Sequence, residues 1–363
     1  MSILVTPAPV VLPRPRLRGT GIGRRALKAL DERLGLDALR YEVPEHANNL
    51  GWSLGGVTGY TFVVLVATGM VLVQFYNPTP EGANQSVRDI MTLVPLGAFV
   101  RGVHFWAAQA MYVLAGLHLV RVFTTGSYKR PREANWVIGV AMFGLVIAAL
   151  FSGTVLKWDQ EGFEALAHNL DIAKILGGVG IWFSPGFASN VPILVRLYGA
   201  HVVMVPGAIF MLMAVHFLLV KKLKISPHPT NPTEQGEARG PFTHHIERVA
   251  AIGLLVLGVL GVLAIVLPPG VGSVPVEGIE VTKPLWMFYW LFGVENIIGV
   301  NGILYGAIAL FGILLAIPFL DRGPKRYWRQ RPFAMAGLIV VLGIMIYLSY
   351  TTLTSGMSTH LAG

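Results

Sequence analysis

The chain has 363 residues, 54% of them hydrophobic and 13% charged, with a formal net charge of +9. So much apolar sequence with so few charges excludes an ordinary soluble domain, and zero cysteine excludes disulfides, thiolate-held iron–sulfur clusters and thioether-linked heme within the chain. The basic excess sits in loops, where membrane topology accounts for it, so no nucleic-acid partner is expected.

Residues 1–45 form a basic N-terminal segment carrying Arg14, Arg16, Arg18, Arg24, Arg25 and Lys28, and residues 24–39 have the pattern of an amphipathic helix at a membrane surface. Apolar runs of about 20 residues, long enough to cross a bilayer, follow near 52–76, 102–124, 136–156, 191–220, 247–268, 300–320 and 332–353. They are continuous rather than alternating, which predicts an all-α membrane protein of seven transmembrane helices and not a β-barrel. Residues 46–229 hold the first four spans, expected to pack as a four-helix bundle, and 230–363 hold the other three as a C-terminal domain. Basic clusters after the second span (Lys129, Arg130, Arg132), the fourth (Lys221, Lys222, Lys224) and the sixth (Arg322, Lys325, Arg326, Arg329, Arg331) share the side of the N-terminal arginines. The positive-inside rule puts that side and the N-terminus in the cytoplasm and the C-terminus outside.

Ionisable side chains inside a membrane span mark functional sites. The second span holds His104 and His118, 14 residues apart, and the fourth holds His201 and His216, 15 apart. Each spacing returns to nearly the same helix face and separates the imidazoles by ~21–22 Å along the axis. Both spans run from outside to inside, so His104 faces His201 near the outer surface and His118 faces His216 near the inner one. Two b-type hemes with paired imidazole ligands are expected, an arrangement suited to electron transfer. Glycines at matched spacing support it: Gly55 and Gly69 in the first span, Gly139 and Gly153 in the third. Those spans run the other way, placing Gly55 and Gly139 level with the inner pair and Gly69 and Gly153 with the outer, where a missing side chain admits a flat macrocycle. Arg101 and Arg196 lie at the outer ends of the histidine helices, as partners for heme propionates.

Together the spans, histidines and glycines resemble cytochrome b of the quinol-oxidising cytochrome bc and b6f complexes. Trp52 to Pro229 is similar to the heme-binding half, through LGGVTGY, ATG, RGVHFWAAQAMYVLAGLHLVRVFTTGSYKRPRE, LVRLYGAHVVMVP and HFLLVKKLKIS. The remainder resembles subunit IV, most clearly at FLDRGPKRYWRQRP. The 15-residue spacing favours the chloroplast and cyanobacterial branch, which attaches an extra heme through a cysteine where this chain has Ser53. No thioether-linked heme is expected. In that branch the position of Lys221 lies beside the inner quinone pocket.

The outer side departs from the family. Its Pro-Glu-Trp-Tyr motif, whose carboxylate takes a proton from quinol, reads Pro284, Leu285, Trp286 and Met287 here. Its Gly-Tyr-x-Leu-Pro-Trp reads Gly153, Thr154, Val155, Leu156, Lys157 and Trp158. Glu161, Glu164 and Glu295 lie near these motifs as possible substitutes but are read first as solvated loop charges, as are His168, His228, His244 and His245; His46 and His360 give no signal.

The resemblance implies a diheme subunit of a membrane quinol/quinone oxidoreductase, carrying electrons between an outer site and an inner quinone site. Its partners would be a Rieske iron–sulfur protein, a c-type cytochrome, the quinone pool and a second copy, in a bacterial-type plasma membrane. The alternative keeps the two-heme wire but feeds it from an outer-facing dehydrogenase or multiheme subunit, without a bifurcating outer quinol site. A heme-binding assembly or sensor protein is the third reading, which a complete wire disfavours.

Overall fold

The computed structural model describes residues 29–33, 35 and 41–356. Residues 29–33 are helical, and the rest of the expected amphipathic helix, the N-terminal arginines and His360 lie outside the described residues. Ten helices follow: α1 (Leu50–Leu72), α2 (Ala83–Thr92), α3 (Gly97–Thr124), α4 (Glu133–Val155), α5 (Gln160–Ile175), α6 (Ile193–Leu223), α7 (Phe242–Val266), α8 (Tyr289–Ile298), α9 (Asn301–Leu320) and α10 (Pro332–Thr354). Seven of them, α1, α3, α4, α6, α7, α9 and α10, are long and apolar enough to span a membrane, in line with the predicted runs. Helices suit these segments because lipid offers the backbone no hydrogen bonds and each helix satisfies its own.

α1 packs on α3, and α4 on α6, while α3 and α4 also touch, so the first four spans form one bundle. α7 lies along α1 and α3, with Gly102 against Ala264 and Gly253 against the Tyr60 ring at distances that leave no room for a side chain. α9 packs on α4, and α8 on α9 and α10.

The three short helices were not predicted. α2, α5 and α8 are too short to span, and all lie at the end of the bundle away from the basic loops. Asp159 caps α5, accepting from Gly162 N at 3.0 Å, and also accepts from Gly272 N at 2.9 Å, so the cap joins α5 to the segment after α7.

At the basic end, FLDRGPKRYWRQRP folds back on the loop after α3. Asp321 accepts from Lys129 Nζ at 2.6 Å, from Arg331 Nη2 at 2.6 Å and from the Tyr128 hydroxyl, while Arg331 also donates to Phe123 O at 2.8 Å. A short antiparallel pair, β1 (Glu42–Pro44) with β2 (Arg239–Pro241), joins the N-terminal segment to the chain entering α7. His46, without signal in the sequence, is buried beside it, bonded through Nδ1 to Glu237 and through Nε2 to Ser226 O.

Candidate functional site

The four histidines meet in two facing pairs. The His104 and His201 rings lie 6.4 Å apart, centre to centre, and His118 lies within electrostatic reach of His216 at the other level. Two imidazoles sharing an iron through bonds of about 2 Å put their ring centres roughly 6 Å apart, so the first pair fits a bis-imidazole group.

Each ring rests on a glycine of the neighbouring helix. A Cβ on Gly55 would stand 2.9 Å from His118 Cε1, on Gly153 3.0 Å from His201 Cε1, on Gly69 3.4 Å from His104 Cε1, and on Gly139 3.9 Å from His216 Cε1. The glycines therefore receive the histidine rings, and through them set how closely the helices approach.

At the His104–His201 level a hydroxyl also holds each ring. Thr68 Oγ1 donates to Val64 O at 2.7 Å and lies 2.9 Å from His104 Nδ1; Ser152 Oγ donates to Ala148 O at 2.8 Å and lies 3.0 Å from His201 Nδ1. With its proton committed to the helix, each hydroxyl accepts from Nδ1–H and leaves Nε2 free as a ligand. His118 and His216 have no such hydroxyl at Nδ1; His216 is instead within reach of the Asn135 backbone. His201 lies in a π-helical turn, Ala200–Met204, just before Pro206. Proline has no N–H to continue the α ladder, and the widened turn accommodates that.

Arg101 donates to Pro269 O at 2.5 Å and Gly270 O at 3.0 Å, and Arg196 to Ser184 O at 2.7 Å and Trp182 O at 2.5 Å. Both are thus engaged by backbone carbonyls. Arg121, not singled out in the sequence, lies three residues after His118, stacks 4.2 Å over Trp52 and keeps a buried Nε without a partner. Its helical spacing from His118 was the available signal. Trp52 stacks in turn on His228, Ser53 is fully buried, and Lys221 is exposed in the last turn of α6.

At the opposite end, Met287 is buried in an apolar cluster with Phe62, Met111, Val146, Leu150 and Ile209, against which Leu285 and Phe288 pack. Pro284 leads into this turn, and Trp286 donates to Gln109 Oε1 at 2.6 Å. Lys157 pairs with Glu161 and, at 3.3 Å, with Asp159.

Several solvated-loop readings are corrected. Glu164 is buried on α5 and accepts from Val281 N and Thr282 N, both at 2.9 Å, from the Thr282 hydroxyl and from Gln160. His168 and Glu295 are buried too, on α5 and α8, because those loops are folded helices packed on each other. His244 and His245 lie in the first turn of α7 rather than in a loop.

The family profile described as Cytochrome b/b6/petB matches residues 39–224. A cytochrome bc complex cytochrome b subunit of Chlorobaculum thiosulfatiphilum is 30% identical over 333 residues, covering 86% of this chain and 76% of that one. The chain belongs to the cytochrome b/b6 family. The menaquinol:cytochrome c reductase cytochrome b subunit of Bacillus subtilis (strain 168) is 36% identical over 213 residues, 54% of this cytochrome b and 95% of the relative. The fold is similar to a chain of a solved hyperthermophilic respiratory Complex III, with TM-score 0.80, 22% identity, and 91% and 92% of the two chains covered. Membership implies b-type heme, and the seven apolar helices make this an integral membrane protein.

Proposed function

We propose that this cytochrome b is the diheme subunit of a bc-type quinol oxidoreductase, moving electrons across the membrane between an outer site and an inner quinone site. The observation that carries this reading is the set of four imidazoles in two facing pairs at two depths, each ring seated on a glycine. His104 and His201 would hold the outer b-type heme, and His118 and His216 the inner one. When bound, the hemes supply one-electron redox chemistry.

The chain's own groups do the remaining work. Thr68 and Ser152 orient the outer ligands, while the inner ligands carry no such bond. Arg121, with a free buried donor beside His118, is suited to an inner propionate. Arg101 and Arg196 would meet outer propionates with whatever donors their carbonyl contacts leave. Lys221 is the candidate cation beside the inner quinone. The basic end faces the cytoplasm, residues 46–229 form the heme-binding half and 230–363 its companion, and the expected partners are a Rieske iron–sulfur protein, a c-type cytochrome and a second copy.

A second reading draws on the outer motif, where Leu285 packs in an apolar cluster and Lys157 is tied to two carboxylates. There an outer-facing redox partner, such as a dehydrogenase or multiheme subunit, would feed the outer heme and quinone would be reduced inside.

Purified complex reduced by short-chain menaquinol, with and without an outer-site inhibitor, separates the two. Inhibitor-sensitive reduction of the outer heme supports the first; reduction only by an insensitive inner route overturns it. A redox titration should resolve two b-type components, of which His104→Leu or His201→Leu removes one, and an unchanged titration refutes the ligand assignment.

A further inference from the structure

One group of titratable side chains at the outer end is not used by the wire. His168 on α5 places Nε2 3.3 Å from Glu295 Oε1 on α8 and 3.5 Å from Glu280 Oε1, with all three side chains less than a tenth exposed. His168 Nδ1 is fixed on Glu164 O at 2.8 Å, so among the described residues the partner of the buried Glu295 carboxylate is the single imidazole nitrogen 3.3 Å away. A buried carboxylate left this way is a poor structural device. The structural tie is already made by Glu164, whose oxygens are taken up by the 281–282 backbone. Glu161 is likewise committed, to Lys157. Of the three carboxylates near the altered motifs, Glu295 is the one with open acceptor capacity.

Its position puts it on the helical face that starts beside the altered motif. Phe288, Phe292 and Glu295 follow one another at i, i+4 and i+7 on a continuous helical run, and so share a face. Phe288 packs on the apolar cluster that also holds Leu285, and Phe292 lies 5.0 Å from the His168 ring. The stripe begins at the altered motif and ends at the buried pair.

We propose that the His168–Glu295 pair, backed by Glu280, accepts the protons of quinol oxidised at the outer site, in place of the carboxylate that Leu285 lacks. The proposal rests on the first reading above. Oxidation of a hydroquinone to a quinone breaks two O–H bonds and releases two electrons and two protons. The electrons leave one to the outer heme and one to an iron–sulfur acceptor in a partner subunit. A proton passes to the Glu295 carboxylate and on through His168 Nε2 to Glu280, and the second follows once the pair is emptied. Glu280 directly precedes Val281 and Thr282, which line a cleft of about 470 Å³ together with Lys157, Asp159 and Lys283.

The charges around the pair are Glu164, Glu161 and Lys157 at the α5 end, and Glu280 and Lys283 in the connecting segment. α9 and α10 pack on α8 through Ile303, Ala307, Leu348 and Thr352, which do not titrate. Burial alone would lower the His168 imidazole, but the Glu295 carboxylate, the Glu164 carbonyl and Glu280 outweigh it and hold its pKa above the ordinary value. The same neighbours favour a proton on His168.

The test uses the whole complex with short-chain menaquinol and its own c-type acceptor. Glu295→Gln keeps the shape and removes the acid–base function, so kcat should fall about 100-fold and the acidic limb of the pH profile should disappear. Glu295→Asp should recover part of the rate. His168→Gln should slow turnover less and move the same limb, and both variants should retain two hemes. A wild-type rate and pH profile in heme-replete Glu295→Gln or His168→Gln overturns the proposal, as does an equal loss at every pH. Should one variant fail to assemble, the other decides by the same limb. If the wild-type complex shows no inhibitor-sensitive quinol oxidation, the functional reading itself has failed and the proposal falls with it.

Discussion

The four ring-bearing glycines make a graded series in which one change, glycine to alanine, should have four different outcomes. Alanine at Gly55 brings Cβ to 2.9 Å from His118 Cε1 and at Gly153 to 3.0 Å from His201 Cε1, so ring or helix must yield by about 0.5 Å to reach ordinary contact. Forcing an extra methyl into packed surroundings costs about 1–3 kcal/mol. Alanine in place of glycine inside a helix returns up to ~1 kcal/mol. The net for Gly55→Ala and Gly153→Ala is then a loss of up to about 2 kcal/mol, felt at the ligand ring and seen as weaker heme retention at one level. At Gly139 the methyl would sit 3.9 Å from His216 Cε1, so Gly139→Ala should be neutral or stabilising, with Gly69→Ala at 3.4 Å between. Heme per purified chain, dithionite difference spectra and thermal unfolding in detergent would rank the four. Loss of heme in Gly139→Ala with a silent Gly55→Ala would refute the reasoning.

Thr68→Val deletes the acceptor on His104 Nδ1 and with it a bond of ~1 kcal/mol that raises ligand basicity and favours ferric iron. The outer midpoint potential should rise by about 40 mV while the inner one stays put, as read by redox titration. Asp321→Asn should destabilise the chain by about 3 kcal/mol in detergent unfolding, since it leaves Lys129 and Arg331 without their anion. Burial alone would raise the Asp321 carboxyl, but bonds from Lys129, Tyr128 and Arg331 hold it below the ordinary value. The wild type should therefore lose this increment only as pH falls below about 4 and through the folded-state pKa, while the variant stays flat there. His168→Leu leaves Glu295 buried without its cation and should cost about 3 kcal/mol, whereas the double change with Glu295→Leu should recover most of it. The His168 contribution itself is present below pH ~6.5 and fades as pH rises through its raised pKa, so the single-variant penalty should shrink in alkali.

What the sequence made legible was periodic. The spans announce themselves by length and hydropathy, and the levels of His104, His118, His201 and His216 follow from 3.6 residues per turn, as do the glycines facing them. What stayed hidden was packing between segments that look polar. α5 carries Glu161, Glu164, His168 and Asp171 along 16 residues, a composition that reads as a solvated loop until α8 and the 276–282 segment cover one face of it. Arg121 was obscured differently, because a basic residue near the inner boundary is already explained by topology, and only its free Nε beside His118 sets it apart.

The same contrast explains how the end away from the basic loops can depart from the family motifs while the packing of the four histidines is kept. The four histidine rings depend on contacts among α1, α3, α4 and α6, where glycine and hydroxyl positions leave little latitude. The outer pocket is assembled instead from α5, α8 and the segment joining α7 to α8, held by side chain-to-backbone bonds such as those of Asp159, Gln160 and Glu164. A carboxylate can be lost at Leu285, where apolar packing absorbs the change, and the acid–base function can be supplied from Glu295 along the same helical stripe. Moving it inward removes it from bulk water and pairs it with His168, which makes proton release depend on the imidazole as well as on the carboxylate. That dependence is why the pH profile, rather than the rate alone, discriminates a relocated proton acceptor from an ion pair that only joins two helices.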